Sequence, residues 1–181
     1  LFADDVAEVG FWTRWLATKK NTSAIILIGH STGNVQLLAY ASEHNTELIK
    51  KIIAISLVEY EREFGGKHNQ NQYKKAQQRF KNGNKSLNKY KLSYCNNYVA
   101  PAAAFLSFAQ WSEDKILSTI RAAKLPVTVL AGEADERMSA DWRDRLQQES
   151  VVIRSVQGAN HFFNDAHEFD LYDTVAKELR E

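Results

Sequence analysis

One stretch constrains this chain more than any other: Ala24-Ile25-Ile26-Leu27-Ile28-Gly29-His30-Ser31-Thr32-Gly33-Asn34-Val35-Gln36-Leu37-Leu38-Ala39-Tyr40. An isoleucine-rich apolar run leads into Gly-x-Ser-x-Gly, and a helix-like pattern comes immediately after. That is the order of events in a nucleophile elbow, where a buried strand turns sharply into a helix and carries a serine at its tip. A turn so tight predicts positive φ at Ser31. It also predicts that Gly29 and Gly33 are glycines because side chains there would collide across the turn. The bare pattern recurs by chance in roughly one chain in fifteen of this length, so its weight rests on the strand before it and the helix after it. The first backbone N–H of that helix, at Thr32, is a candidate donor to an oxyanion.

The rest of the chain repeats the strand–helix rhythm. Phe2, Val6, Val9, Trp12 and Leu16 recur at helical spacing behind Asp4 and Asp5. Apolar, β-branched runs at about 24–29, 52–58, 126–131 and 151–157 predict four strands. Helices are expected at about 32–44, 113–123, 142–148 and 169–179. Short apolar strands alternating with helices predict an α/β fold, a mainly parallel sheet covered on both faces.

Residues 59–112 interrupt the rhythm, so the core is expected to comprise residues 1–58 and 113–181, with 59–112 as a basic insertion. Charge marks the same boundary. Residues 65–112 hold eight Lys or Arg and no Asp or Glu, although the whole chain has a net charge of only +1. A long insertion between strand–helix units is expected to form a helical cap or lid. Its basic surface is most simply a solvated face; the other reading is recruitment of anionic acyl substrates or a membrane surface.

The chemistry lies in the residues just beyond the strands. A serine hydroxyl is a weak nucleophile until a histidine takes its proton, and a carboxylate must hold that histidine in the right tautomer. Asp135 comes after the third strand in Gly132-Glu133-Ala134-Asp135, and His161 after the fourth in Gly158-Ala159-Asn160-His161. Alone, Asp135 reads as a cap or solvated loop residue, and a single histidine as a structural hydrogen-bonder. Their occurrence with Ser31, each beyond the carboxyl end of a strand, makes all three the candidate catalytic residues. Glu61, after the second strand, is the reserve for the acid. His30 is expected to pack or to bond backbone. His44, His68 and His167 show no metal-ligand spacing, so no metal and no cofactor are expected.

These segments together resemble the α/β-hydrolase fold superfamily, from its elbow strand onward. The resemblance runs through Ile26 to Gly33, Pro126 to Asp135 and Gly158 to Phe163. It implies Ser31 as nucleophile, Asp135 as acid, His161 as base and a cap in the insertion after the second strand. Thr32 and Asn34 stand where many members have Met or Leu and Gly. The family's N-terminal strands, and the loop bearing its second oxyanion donor, have no counterpart in these residues. The implied activity is hydrolysis of an ester, thioester or amide in a small acyl substrate through an acyl-enzyme. The alternative is a non-catalytic fragment or binding module that uses the basic insertion. No recognised motif points to nucleic acid.

The family's strand order puts the elbow strand on an outer edge, yet that strand is apolar throughout. A partner is therefore expected there, either an N-terminal half or a second copy, or else a fold-back of residues 2–15. One cysteine, Cys95, rules out an internal disulfide. A soluble chain is expected, its compartment open and the cytoplasm slightly favoured.

Overall fold

A computed structural model describes residues 1–44, 47–60 and 67–180, the side chains of 67–69 excepted. Glu61 and the side chain of His68 thus lie outside the described residues. The elements in chain order are α1 (Phe2–Lys19), β1 (Ile25–His30), α2 (Gly33–Glu43), β2 (Ile49–Ile55), α3 (Lys67–Lys81), β3 (Asn88–Leu92), β4 (Cys95–Ala100), α4 (Ala102–Ala109), α5 (Glu113–Ala123), β5 (Val127–Gly132), α6 (Ala140–Gln148), β6 (Val152–Val156) and α7 (His167–Glu178).

Four strands form one parallel sheet in the order β1-β2-β5-β6. Gly29 pairs with Ala54, Ala54 with Val129 and Val129 with Ile153, so the carboxyl ends of all four strands lie at one end of the sheet. Every residue of β5 is buried, as expected of a central strand with both faces covered. The second strand lies about three residues earlier than its apolar run suggests. Ser56, at φ 48°, turns the chain out of the sheet, and the buried Leu57 and Val58 pack beyond it. Two helices begin on a serine cap. The Ser112 hydroxyl accepts from Lys115 N–H at the start of α5, and the Ser139 hydroxyl accepts from Trp142 N–H at the start of α6.

β1 is the sheet edge, with β2 on one side and, among the described residues, no strand on the other. Ile28 on it is 44% exposed. The fold-back of residues 2–15 onto this edge does not occur, because α1 instead docks on α2 and α4. The reason is packing: Phe2 meets the rings of Phe108 and Trp111 at 5.6 and 4.6 Å, and its N–H donates to the Ser107 hydroxyl.

The insertion contains α3 and α4, and between them an antiparallel hairpin, β3–β4, that adds to the expected helices. In β3, Tyr90 and Leu92 are buried while Lys89 and Lys91 face water, the alternation of a half-buried strand. Tyr90 stacks on Phe105 of α4, with ring centroids 4.2 Å apart and planes 9° from parallel.

The far end of the sheet is tied by one buried residue. Glu178, near the end of α7, is 2% exposed. Its carboxylate accepts from Lys51 Nζ of β2 at 2.5 Å, Thr128 Oγ1 of β5 at 3.1 Å and Arg154 Nε of β6 at 2.8 Å. No helix of the described residues is long and apolar enough to cross a membrane.

Candidate active site

Ser31 occupies the sharp turn between β1 and α2 with φ 56°, the positive value its place in the motif predicts. The strained residue is held from two sides. Its N–H donates to Ile55 O at 2.8 Å, and the wholly buried Asn34 side chain donates from Nδ2 to both Ser31 O and Ile55 O. Asn34 therefore ties the elbow to the end of β2. Gly29 makes room for it: a Cβ there would sit 2.6 Å from Asn34 Oδ1 and 2.8 Å from Leu37 Cδ1. Gly33 differs from expectation. A Cβ on it would meet nothing within 4 Å, so no collision across the turn demands glycine there. The α2 axis carries position 33 away from the strand, whereas position 29 faces the helix.

The structure brings Ser31 together with His161 and Asp135. The Ser31 hydroxyl donates to His161 Nε2 at 2.9 Å, and His161 Nδ1–H donates to Asp135 Oδ2 at 2.8 Å. A carboxylate can only accept, which fixes the proton on Nδ1 and leaves Nε2 free to take the serine proton. All three side chains are buried, at 8%, 6% and 3% exposure for Ser31, His161 and Asp135. Burial pushes the Asp135 carboxyl up. Hydrogen bonds from His161, Arg137 N–H and the Ser56 hydroxyl outweigh it and hold the group below its ordinary range, ionised beside the imidazole.

The histidine loop is positioned through its backbone. His30 Nε2 donates to His161 O at 2.9 Å, and Ser56 Oγ, whose single proton is shared with the Asp135 carboxylate, lies 3.3 Å from the same carbonyl. His30 thus acts as the backbone-bonding residue expected of it. Sequence reasoning missed Ser56; its one signal was a lone hydroxyl inside the apolar run Ile55-Ser56-Leu57-Val58. Gly132, the last residue of β5, lets the loop come close, since a Cβ there would lie 2.3 Å from Ala159 O and 2.6 Å from Asn160 O. A Gly132→Ala chain is therefore expected to lose about 1–3 kcal/mol of stability. It should also shift the His161 imidazole resonances, as urea unfolding and NMR would show. An unchanged spectrum would mean that the loop does not rest on this contact.

Above the imidazole lies the turn of the β3–β4 hairpin. Tyr94 approaches the His161 ring at 5.6 Å and Phe162 at 5.4 Å, and the Arg137 guanidinium sits 3.5 Å over the Tyr94 ring. Among the described residues the insertion thus meets the His161 ring through the Tyr94 side chain, which no motif in the sequence marked. Among the described residues, the hydrogen bonds of the elbow leave the Thr32 backbone N–H unused at the start of α2.

No protein-family model matches the sequence, and no curated protein matches it either. Solved structures do. A monoacylglycerol lipase of Paleococcus ferrophilus aligns over 98% of this chain and 74% of its own, with a TM-score of 0.66 and 15% identity. E-2-(acetamidomethylene)succinate hydrolase aligns over 97% of this chain and 72% of its own, with a TM-score of 0.63 and 18% identity. A carboxylesterase structure from the Thaumarchaeon Nitrososphaera gargenis covers 99% of this chain and 72% of its own, with a TM-score of 0.61 and 15% identity. At these identities the likeness is one of fold.

Proposed function

We propose that this chain, which has the α/β-hydrolase fold, is a serine hydrolase that cleaves an ester, thioester or amide bond of a small acyl substrate. The observation that carries the reading is the pair of contacts at 2.9 and 2.8 Å joining Ser31, His161 and Asp135, three buried side chains drawn from separate loops at one end of the sheet. A structural role explains this poorly. A buried hydroxyl needs one partner, and it does not need positive φ to find it.

In the proposed reaction His161 Nε2 takes the Ser31 proton as Oγ attacks the substrate carbonyl carbon. Asp135 stabilises the imidazolium so formed. The negative charge on the tetrahedral oxygen develops near the first turn of α2, where the Thr32 N–H serves as one donor. Collapse of the intermediate expels the alkoxide, thiolate or amine, which leaves with the proton from His161. Water then attacks the acyl-Ser31 ester, again with His161 as base, and releases the acid. Tyr94 and Phe162, themselves partly exposed, flank the imidazole with apolar ring surface.

A serine-directed fluorophosphonate tests this. The expected result is a single adduct on Ser31, located by peptide mass spectrometry, with loss of labelling in Asp135→Asn. Absence of an adduct, or equal labelling of other serines, would overturn the reading.

A further inference from the structure

We infer that the cap carries a second, separate binding site, a phosphate-binding cleft between α3 and β3. The cleft has a volume of about 240 Å³ and is lined by Asn71, Gln72, Lys75, Arg79, Lys89 and Tyr90. Helical spacing puts Asn71, Lys75 and Arg79 on one face of α3, one turn apart each. Lys89 and Tyr90 of β3, successive residues on opposite faces of the strand, border the cleft from its other side.

The cleft is preformed. The Gln72 side chain accepts from Lys91 N–H at 2.8 Å and donates to Lys91 O at 3.0 Å, so its amide pairs with β3 as a neighbouring strand would. These two hydrogen bonds fix α3 against the hairpin with no ligand bound. Three cations then converge on the opening. Among the described residues none of Lys75, Arg79 and Lys89 has an ion-pair partner. No acidic residue occurs anywhere in 65–112 to supply one. Like charges gathered on a rigid wall repel, and a bound anion relieves that repulsion.

The second observation is Tyr90. It lines the cleft and is 2% exposed, yet its hydroxyl has no hydrogen-bond partner. A phenylalanine would stack on Phe105 equally well and bury no unpaired polar atom. The hydroxyl is enclosed as well as unpaired, so it meets an oxygen of the ligand only when the ring turns slightly toward the opening as the anion binds.

The donor set identifies that ligand. Two lysines, an arginine, a phenol and the Asn71 amide offer more donors than the two oxygens of a carboxylate accept. They suit the three terminal oxygens of a phosphomonoester, with the arginine able to bind two of them at once. The volume admits a phosphate with a few attached atoms but not a nucleic acid helix. The phosphate comes either from a soluble phosphoester or from a lipid headgroup.

Titration calorimetry with glycerol 3-phosphate, and co-sedimentation with phosphatidylcholine vesicles with and without phosphatidic acid, separate the two sources. Saturable binding of either probe is expected, weakened about tenfold by Arg79→Ala and about threefold by Tyr90→Phe. Glycerol 3-phosphate binding identifies a soluble ligand, and binding to phosphatidic acid vesicles alone identifies a headgroup. Tyr90→Phe keeps the stack on Phe105, so an unchanged thermal midpoint separates lost binding from lost folding. Ser31→Ala should bind both probes normally, which makes this result independent of the hydrolase reading. Failure of both probes overturns the site. So does binding that neither variant weakens, or binding only to an oligonucleotide, which would reveal a diffuse basic surface instead.

Discussion

Replacing Ser31 with alanine is expected to abolish fluorophosphonate labelling and to lower hydrolysis of p-nitrophenyl acetate by at least about 10³-fold. The size comes from the geometry. Removing Oγ removes the atom that attacks, and the His161 ring at 2.9 Å then has no proton to take. His161→Ala should have a loss of the same order, because the hydroxyl that remains is unactivated. The Ser31→Ala/His161→Ala chain should be no slower than either single variant, since the two side chains act as one unit. Multiplying losses would count against a shared mechanism. Asp135→Asn should fall by about 10³- to 10⁴-fold, because an amide NH₂ facing Nδ1 favours the wrong tautomer. Steady-state kinetics on the three single variants and the double variant decide the matter.

The second large effect is on stability. Burial pushes the Glu178 carboxyl up, but hydrogen bonds from Lys51, Arg154 and Thr128 bring it down from 4.5 to about 2. A group whose pKa is depressed by folding stabilises the fold above its unfolded value, and that contribution is lost as pH falls through the folded one. Stability from Glu178 is thus complete above about pH 5 and fades between pH 4.5 and 2. Its size is about 3 kcal/mol. Urea unfolding followed by circular dichroism should show a steep loss in that window, and Glu178→Gln should remove most of the slope. Parallel pH profiles for the two chains would exclude the assignment. Glu178→Ala at neutral pH, which takes this carboxylate from the largely buried Lys51, should cost about 3 kcal/mol.

What could be read from the residues and what could not divide along one physical line. Elements whose apolar pattern is self-sufficient were legible: β5, with Val127-Thr128-Val129-Leu130-Ala131 buried on both faces, and α5, with Ser112 as its cap and Glu113 and Asp114 in its first turn. The order of the parallel strands could be taken from the family's topology, and the sheet has it. The hairpin was not legible. β4 contains Asn96 and Asn97, weak strand formers, and exists because β3 pairs with it and Tyr90 finds Phe105. Ser31, Asp135 and His161 could be singled out because each lies just past a strand. The groups that hold them, Ser56 on the His161 carbonyl and Asn34 on the elbow, make contacts across 105 and 21 residues of chain, and those appear only once the fold exists. Gly33 was assigned a steric reason that its position on α2 does not supply.

The contact between Ser31 and His161 also has a history within each molecule's synthesis. The two residues are 130 positions apart. At about 5–20 residues per second, roughly 6–26 seconds of translation pass between the appearance of the serine and that of the histidine. Glu178, which ties β2, β5 and β6 together, is made later still. Through most of that interval the growing chain has β1 but not yet β5 with Asp135 or β6, and the His161 loop comes after both strands. Under the proposed mechanism its serine is idle until then, while its apolar strands lack their neighbours. Completion of the sheet is paced by the arrival of β6 and α7, and under the proposed mechanism a ribosome paused before residue 161 would hold an unfinished sheet and no reactive centre.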